Sequence, residues 1–307
     1  TCTDSSVDAL KTRIEKQMQA DLSEIRVRLK EHPELVRQMT DSAITLSDPD
    51  EILQNLQTQI QDDFPALTDT SYAIKYVPEA LESSLSPAFF LVPPIDSDGS
   101  NTIYINEKAS TEQNLYTMLA HEGYPGHLYQ TVYSSLVCDT QTLPIRKLFS
   151  YGGYVEGWAY YTERISYEYA AQVLAEAEGS LGSSYPAALL CTLLAQQRDL
   201  QINLFCLLDL SLHYYGAEES ELLRSLESFG LSEEQSERVY DYLRTAPAVY
   251  LKYYVGYLEM NALQKRAELQ WSDNFSLLRF HRFVLEAGPS DFENLTKRLK
   301  QTAAKTG

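Results

Sequence analysis

The sequence lacks features that mark membrane and nucleic-acid-binding proteins. No apolar run reaches 18 residues without a charge, and the most apolar stretch, residues 200–212, carries Asp209. A membrane-spanning helix is therefore not predicted. Basic residues are scarce, because 25 Lys and Arg stand against 43 Asp and Glu for a net charge of −18. So acidic a surface repels nucleic acid and anionic lipid, and we interpret the charge as a source of solubility.

Cysteine pairs with metal-binding spacing are also missing, because none of the four cysteines forms a C-x-x-C motif. Cys191 and Cys206 lie in apolar helical sequence and are predicted to be core thiols. The 307 residues, 44% of them hydrophobic, suffice for a sizeable core. With no internal repeat or linker, one domain is predicted over residues 1–307. Because the chain begins with Thr1, we expect it to be part of a longer or processed protein.

Most of the sequence has the hydrophobic periodicity of α-helices. Apolar residues recur at steps of three and four over most of the chain, which predicts helices. Residues 72–77, 88–92 and 102–105 are aromatic and β-branched, and the turn sequence "DSDGSN" separates the last two. The predicted fold is therefore mainly α with a small β-sheet (α+β). The sheet spans residues 72–105, its last two strands form a hairpin, and a helix with a capping box begins near Thr111.

The motif "HEGYPGH" places His121 and His127 six positions apart, with Glu122 after the first histidine. Zinc hydrolases commonly carry two histidines four apart on one helix face. On a straight helix, positions six apart differ by about 240° in azimuth and cannot share an ion. Pro125 and Gly126 remove this objection, because they allow the helix to kink and return His127 toward His121. The competing interpretation is a chance pair of histidines around an ordinary turn.

A catalytic zinc ion usually has three protein ligands and one open position. The sequence "GGYVEGWAYYTERIS" offers Glu156, a carboxylate in an aromatic stretch that needs a partner. Glu163 is the competing ligand. Because it stands beside Arg164, we interpret it as an ordinary surface charge and prefer Glu156. Glu122 neighbours a ligand and points elsewhere, which suits a general base that takes a proton from zinc-bound water.

Several sequence blocks, in order, resemble a bacterial family known as domain of unknown function 885 (DUF885). They are "SPAFFLVPP", "NTIYIN", "HEGYPGH", "EGWAYYTE", "LDLSLHYYG", "YYVGYLE" and "FHRFVLEAGP", and they cover most of the chain. The resemblance implies a gluzincin-like helical zinc metallopeptidase domain. It implies that His121, His127 and Glu156 bind one zinc ion and that Glu122 is the general base. Family members are commonly near twice this length, so we expect a missing N-terminal half that packs on this domain.

The resemblance also suggests residues that support catalysis. His213 and Tyr253 match family blocks and are candidate donors to the developing oxyanion, with Asp209 orienting His213 or a ligand histidine. Packing within a tyrosine-rich helix is the alternative for Tyr253, and helix capping is the alternative for His213. The chain departs from the family pattern at Ser211, which replaces a glycine, and at Tyr254, where lysine is common. His281 is predicted to be a surface or packing residue.

The sequence is interpreted as that of a zinc-dependent peptidase. The alternatives are a zinc hydrolase of another amide or ester, and an inactive cell-surface binding domain. A peptide substrate is expected, and the strand at residues 102–105 is predicted to offer a free edge to it. By analogy with the family, an exported or lipoprotein-anchored protein is one expectation for localisation and a cytoplasmic protein is the other.

Overall fold

The computed structural model describes residues 1–303 apart from 42–43, 45, 68–69, 95–99, 112, 139–148 and 178–184. The chain is mainly α-helical with one small sheet, which confirms the predicted fold class. The helices of the described ranges are α1 (Val7–Glu31), α2 (Leu35–Asp41), α3 (Pro49–Gln59), α4 (Leu115–Glu122), α5 (His127–Cys138), α6 (Gly152–Ala177), α7 (Tyr185–His213), α8 (Glu219–Ser228), α9 (Glu233–Thr245), α10 (Val249–Trp271), α11 (Leu277–Ala287) and α12 (Phe292–Ala303).

The sheet contains β1 (Tyr72–Tyr76), β2 (Ala88–Leu91) and β3 (Asn101–Ile105) in the order β1–β3–β2. β2 and β3 pair antiparallel, as the hairpin prediction requires, and most of the predicted turn lies outside the described residues. β1 pairs parallel with the other side of β3. The prediction that β3 offers a free edge is therefore wrong, because β3 is bonded on both sides and β1 and β2 are the edge strands.

The helix that carries the histidine motif begins later than its sequence suggests. α4 starts at Leu115, with Asn114 preceding it, and not near Thr111. The side-chain oxygen of Asn114 accepts a hydrogen bond from the backbone of Thr111 at 2.9 Å. A local side-chain bond of this kind competes with helix formation, so the segment before Leu115 forms a turn.

The centre of the fold is the contact between α6 and α10, which approach each other through glycines. A Cβ atom at Gly256 would lie 2.1 Å from the carbonyl oxygen of Gly153 and 2.7 Å from the Cα atom of Gly157. Only backbones without side chains can come this close. The contact matters for the site because α6 carries Glu156 and α10 carries Tyr253.

His281 is buried in the adjoining core, so of its two predicted roles, surface or packing, the structure shows packing. Its ring stacks on Phe64 at 3.9 Å between centroids, and its Nδ1 lies 2.6 Å from the carbonyl oxygen of Asp63. Its Nε2 lies 2.9 Å from the hydroxyl of Tyr161. Burial lowers the pKa of His281 to about 4, so the ring is neutral at physiological pH.

Two further predictions concern burial and membrane spanning. Cys191 and Cys206 are buried and have free thiols, as expected for core residues. Of the helices that the structure describes, none is both long and apolar enough to cross a lipid bilayer.

We expect Gly256→Ala to destabilise the protein by about 1–3 kcal/mol, the usual cost of forcing an extra methyl group into a tight contact. Helix propensity alone predicts the opposite sign, since alanine is favoured over glycine by about 1 kcal/mol. Urea unfolding measures the difference, with the exposed Lys265→Ala on the same helix as the control. A stabilised Gly256→Ala variant would contradict the close packing of α6 and α10.

The buried neutral His281 predicts a specific loss of stability in acid. The unfolded chain, with a histidine pKa of 6.5, binds this proton more readily than the native protein, whose value is about 4. The stabilisation is therefore present above pH 6.5 and is lost as the pH falls toward 4, by up to about 3 kcal/mol. Unfolding free energies at pH 7 and pH 5 should differ less in His281→Asn than in the original protein. Equal differences in the two proteins would rule out this contribution.

Candidate metal centre

The histidine motif forms a sharp bend between two helices. α4 ends at Glu122, the Tyr124–Pro125 peptide is cis, and α5 begins at His127. The backbone N–H of Gly126 donates to the carbonyl of Ala120 at 2.9 Å. A Cβ atom at Gly126 would lie 1.8 Å from the carbonyl oxygen of His121, so only glycine fits here. The chain thus folds back onto the last turn of α4, as the kink prediction requires.

The bend brings the two histidine rings together beside α6. The ring centroids of His121 and His127 are 4.9 Å apart. Glu156 projects between them from α6, with its Oε2 atom 3.2 Å from His127 Nε2 and 3.9 Å from His121 Nε2. The structure therefore brings together all three residues that were predicted to bind a metal.

Glu163, which we had taken for a surface charge, is buried behind His121, and that prediction is wrong. His121 Nδ1 donates a hydrogen bond to Glu163 Oε2 at 2.9 Å, and Arg198 Nε donates to Glu163 Oε1 at 3.0 Å. Burial opposes ionisation of Glu163, but the charge of Arg198 and the bond from His121 together lower its pKa. With its proton on Nδ1, a neutral His121 has a lone pair on Nε2, which lies on the side of Glu156 and can bind a metal ion.

The distances from Glu156 to the two histidines are close to those expected around a tetrahedral zinc ion. Zinc–nitrogen and zinc–oxygen bonds of 2.0–2.2 Å place tetrahedral ligand atoms about 3.3–3.6 Å apart. The observed separations of 3.2 and 3.9 Å lie on either side of this range. Glu156 Oε2 is buried and accepts no hydrogen bond from the described residues. A carboxylate oxygen that faces two imidazole nitrogens at these distances is an arrangement that a cation stabilises.

A second carboxylate, that of Glu122, also lies close to the histidines. Ligand atoms of His121, Glu122 and His127 lie within 4.8 Å of one another, so Glu122 is the rival to Glu156 as the third ligand. However, Glu122 Oε2 accepts a hydrogen bond of 2.8 Å from the backbone N–H of Phe90 on β2. Because a backbone N–H of edge strand β2 already satisfies Glu122, while Glu156 Oε2 faces both imidazoles, Glu156 suits the position of third ligand better than Glu122 does.

Two aromatic residues complete the surroundings of this centre. The ring of Tyr253 stacks on His121 at 5.7 Å between centroids, and its hydroxyl hydrogen-bonds to Glu156. Burial, followed by the charges of Glu156 and Glu122, raises the pKa of Tyr253, so the hydroxyl keeps its proton. Trp158 donates through Nε1 to the carbonyl of Pro125 at 2.9 Å and so ties α6 to the bend.

His213 and Asp209 are placed elsewhere. His213 Nε2 lies 2.9 Å from the backbone carbonyl of Leu243 on α9, which agrees with a structural role at the end of α7. Asp209 accepts a hydrogen bond from the backbone of Ala248 at 2.8 Å, just before α10. The structure does not bring either residue to the histidines. The carboxylate that holds His121 is that of Glu163 and not that of Asp209.

A cavity of about 1120 Å³ opens over the histidine–carboxylate cluster. Edge strand β2 forms one part of its wall, and residues of α7, α9 and α10 form others. Its lining includes the aromatic residues Phe89, Tyr167, Phe205, Tyr242, Tyr250 and Tyr253. The cavity is large enough for several residues of an extended chain.

Glu163, Trp158 and Arg198 are the site residues that our sequence analysis did not assign. Glu163 lies seven positions after Glu156, which returns it to nearly the same face of a helix after two turns. Arg198 is a charge within the apolar sequence of α7, and such a charge needs a partner. The spacing of Glu163 and the isolated charge of Arg198 could therefore have been recognised in the sequence. Nothing in the sequence indicated that Trp158 contacts the bend.

This chain is similar to one known protein family and to two solved structures. The sequence model of a family described as bacterial proteins of unknown function (DUF885) matches residues 3–299. A solved protein from Colwellia psychrerythraea, provisionally described as a lipoprotein, aligns with 99% of this chain and 53% of its own, at a TM-score of 0.76 and 19% identity. A second, from Shewanella oneidensis, provisionally described as a lipoprotein of unknown function, aligns with 94% of this chain and 54% of its own, at a TM-score of 0.63 and 20% identity.

These likenesses establish a shared fold. The chain spans about half the length of both solved proteins, since it covers 53% and 54% of them. No curated protein matches the sequence.

The ligand assignment predicts different effects for two matched substitutions. Glu156→Gln should weaken zinc binding by more than about 100-fold, since replacing an outer-shell partner alone typically costs 10–100-fold. Glu122→Gln should change zinc affinity little. Competition with a chromophoric chelator measures both. The assignment is reversed if Glu122→Gln loses zinc and Glu156→Gln retains it.

Proposed function

Because the chain belongs to DUF885, a family of bacterial proteins whose function is unknown, its chemistry has to be inferred from its site, and we propose that it is a zinc-dependent peptidase. The observation that carries the proposal is the convergence of His121, His127 and Glu156 around a carboxylate oxygen that accepts no hydrogen bond. Glu122 lies beside this cluster, and a large cavity opens over it.

When bound to these three residues, zinc supplies a Lewis acid and lowers the pKa of a bound water. The remaining steps belong to the protein. Glu122 accepts a proton from the attacking water and delivers it to the leaving amine. The backbone of Phe90 holds the Glu122 carboxylate, so the base does not have to be reoriented during the reaction.

The Tyr253 hydroxyl is the candidate donor to the developing oxyanion. It retains its proton because burial and two carboxylates raise its pKa, and it stacks on a predicted ligand histidine. A neutral donor placed in advance is the usual source of stabilisation for such charge.

The edge of β2 is the proposed docking element for the substrate backbone. β2 pairs with β3 on one side only, and residues 88–90 line the cavity. Phe90 directs its N–H away from β3 to Glu122, and Ala88, two positions earlier, faces the same way. An extended peptide beside Ala88 would therefore pass next to the general base.

We expect the protein to cleave members of a peptide library, to lose this activity with a chelator, and to regain it with zinc. Glu122→Gln should bind zinc normally but lower kcat by at least about 100-fold, as expected for the loss of a general base. Mass spectrometry of the digest and kinetics on a cleaved peptide provide the measurements. The proposal fails if the zinc-loaded protein cleaves no peptide, or if Glu122→Gln with zinc bound retains full activity.

A further inference from the structure

We infer that the substrate is a peptide with a free C-terminal carboxylate and that Arg198 binds this carboxylate. The inference rests on the proposed peptidase function and specifies its substrate class. It predicts cleavage near the C-terminus of the peptide.

Arg198 has hydrogen-bonding capacity that faces the cavity. It lies on α7, lines the cavity and has a side chain that is 34% exposed. Its Nε donates to Glu163 and its Nη1 donates to Gln201 Oε1 at 3.2 Å. Within the described part of the chain, no hydrogen bond uses Nη2. A guanidinium with one edge on a buried carboxylate can bind a second carboxylate through its outer N–H groups.

The charges around the cavity favour Arg198 for this role. Among its described lining residues, arginine occurs only at 198 and 238, and lysine does not occur. Arg238 is 63% exposed on α9 and pairs there with Glu234. The lining carboxylates of Glu122 and Glu163 already have partners in Phe90 and Arg198, and that of Glu156 faces the two histidines. An incoming carboxylate therefore has one inner cationic group to bind.

The position of Arg198 sets the distance from the bond to be cleaved. A single carboxylate, that of Glu163, separates Arg198 from His121, through contacts of 3.0 and 2.9 Å. An extended chain advances about 3.3–3.6 Å per residue. We therefore expect a carboxylate bound to Arg198 to lie within a few residues of the reacting bond, which favours cleavage one or two residues from the C-terminus. Gln197 and Gln201, which also line the cavity, add amide donors beside the guanidinium.

The test compares each cleaved peptide with its C-terminal carboxamide, which differs only in the terminal charge. For the zinc-loaded protein we expect kcat/KM to be at least about tenfold higher for the free acid, the effect of one or two charge-assisted hydrogen bonds. Mass spectrometry should show release of one or two C-terminal residues.

Two substitutions separate recognition by Arg198 from its support of Glu163. In Arg198→Gln the ratio of kcat/KM for the free acid to kcat/KM for the carboxamide should fall close to one. Glu163→Gln breaks the same ion pair but leaves the guanidinium in place. At saturating zinc it should lower kcat for both peptides and keep the preference. Arg238→Gln, which removes the other arginine of the described lining, should also keep it.

The outcomes distinguish this inference from the function on which it rests. Chelator-sensitive cleavage of acid and amide at equal rates would overturn the role of Arg198 and leave the peptidase proposal standing. A preference that survives in Arg198→Gln, or one lost equally in Glu163→Gln, would also overturn it. If neither peptide is cleaved by the zinc-loaded protein, both proposals fail.

Discussion

The close contact between Gly126 and the last turn of α4 is the constraint on which the site depends. Helix geometry alone places His121 and His127 on different faces, about 9 Å apart along the axis. The hydrogen bond from Gly126 to the carbonyl of Ala120 reverses the chain, so that α5 begins with His127 beside the ring of His121. Any side chain at position 126 would collide with the backbone of His121. One residue without a Cβ atom thereby converts an unsuitable spacing into a pair of converging ligands.

Helix α6 supports this bend and completes the centre. It supplies Glu156 to the front of the histidine pair, Glu163 to the back of His121, and Trp158 to the carbonyl of Pro125. These contacts come from one helix, with Glu156 and Glu163 on one face two turns apart and Trp158 on another, which fixes their relative positions. The glycine contact at Gly157 and Gly256 in turn brings α10 close enough for Tyr253 to stack on His121. Packing in the core therefore determines the geometry of the polar cluster.

The sequence predicted the parts of this arrangement that depend on local chemistry. The bend at Pro125 and Gly126, the approach of Glu156 to the histidines, the mainly helical fold and the hairpin of β2 and β3 all follow from residue type and spacing. Glu163 was misjudged because its burial depends on how α6 packs against α4 and α7, which spacing does not reveal. The order of strands was missed for a similar reason, since the parallel partner of β3 is distant in sequence. For His213, a matching block gave no information about which direction its side chain faces.

Location of bound zinc tests the central claim most directly. We predict that a crystal grown with zinc will show one anomalous peak at the zinc absorption edge, bonded to Nε2 of His121, Nε2 of His127 and a carboxylate oxygen of Glu156. The same map should show Glu122 bonded to Phe90 and not to the ion. A zinc peak that lies away from these histidines, or no peak at saturating zinc, would contradict the account.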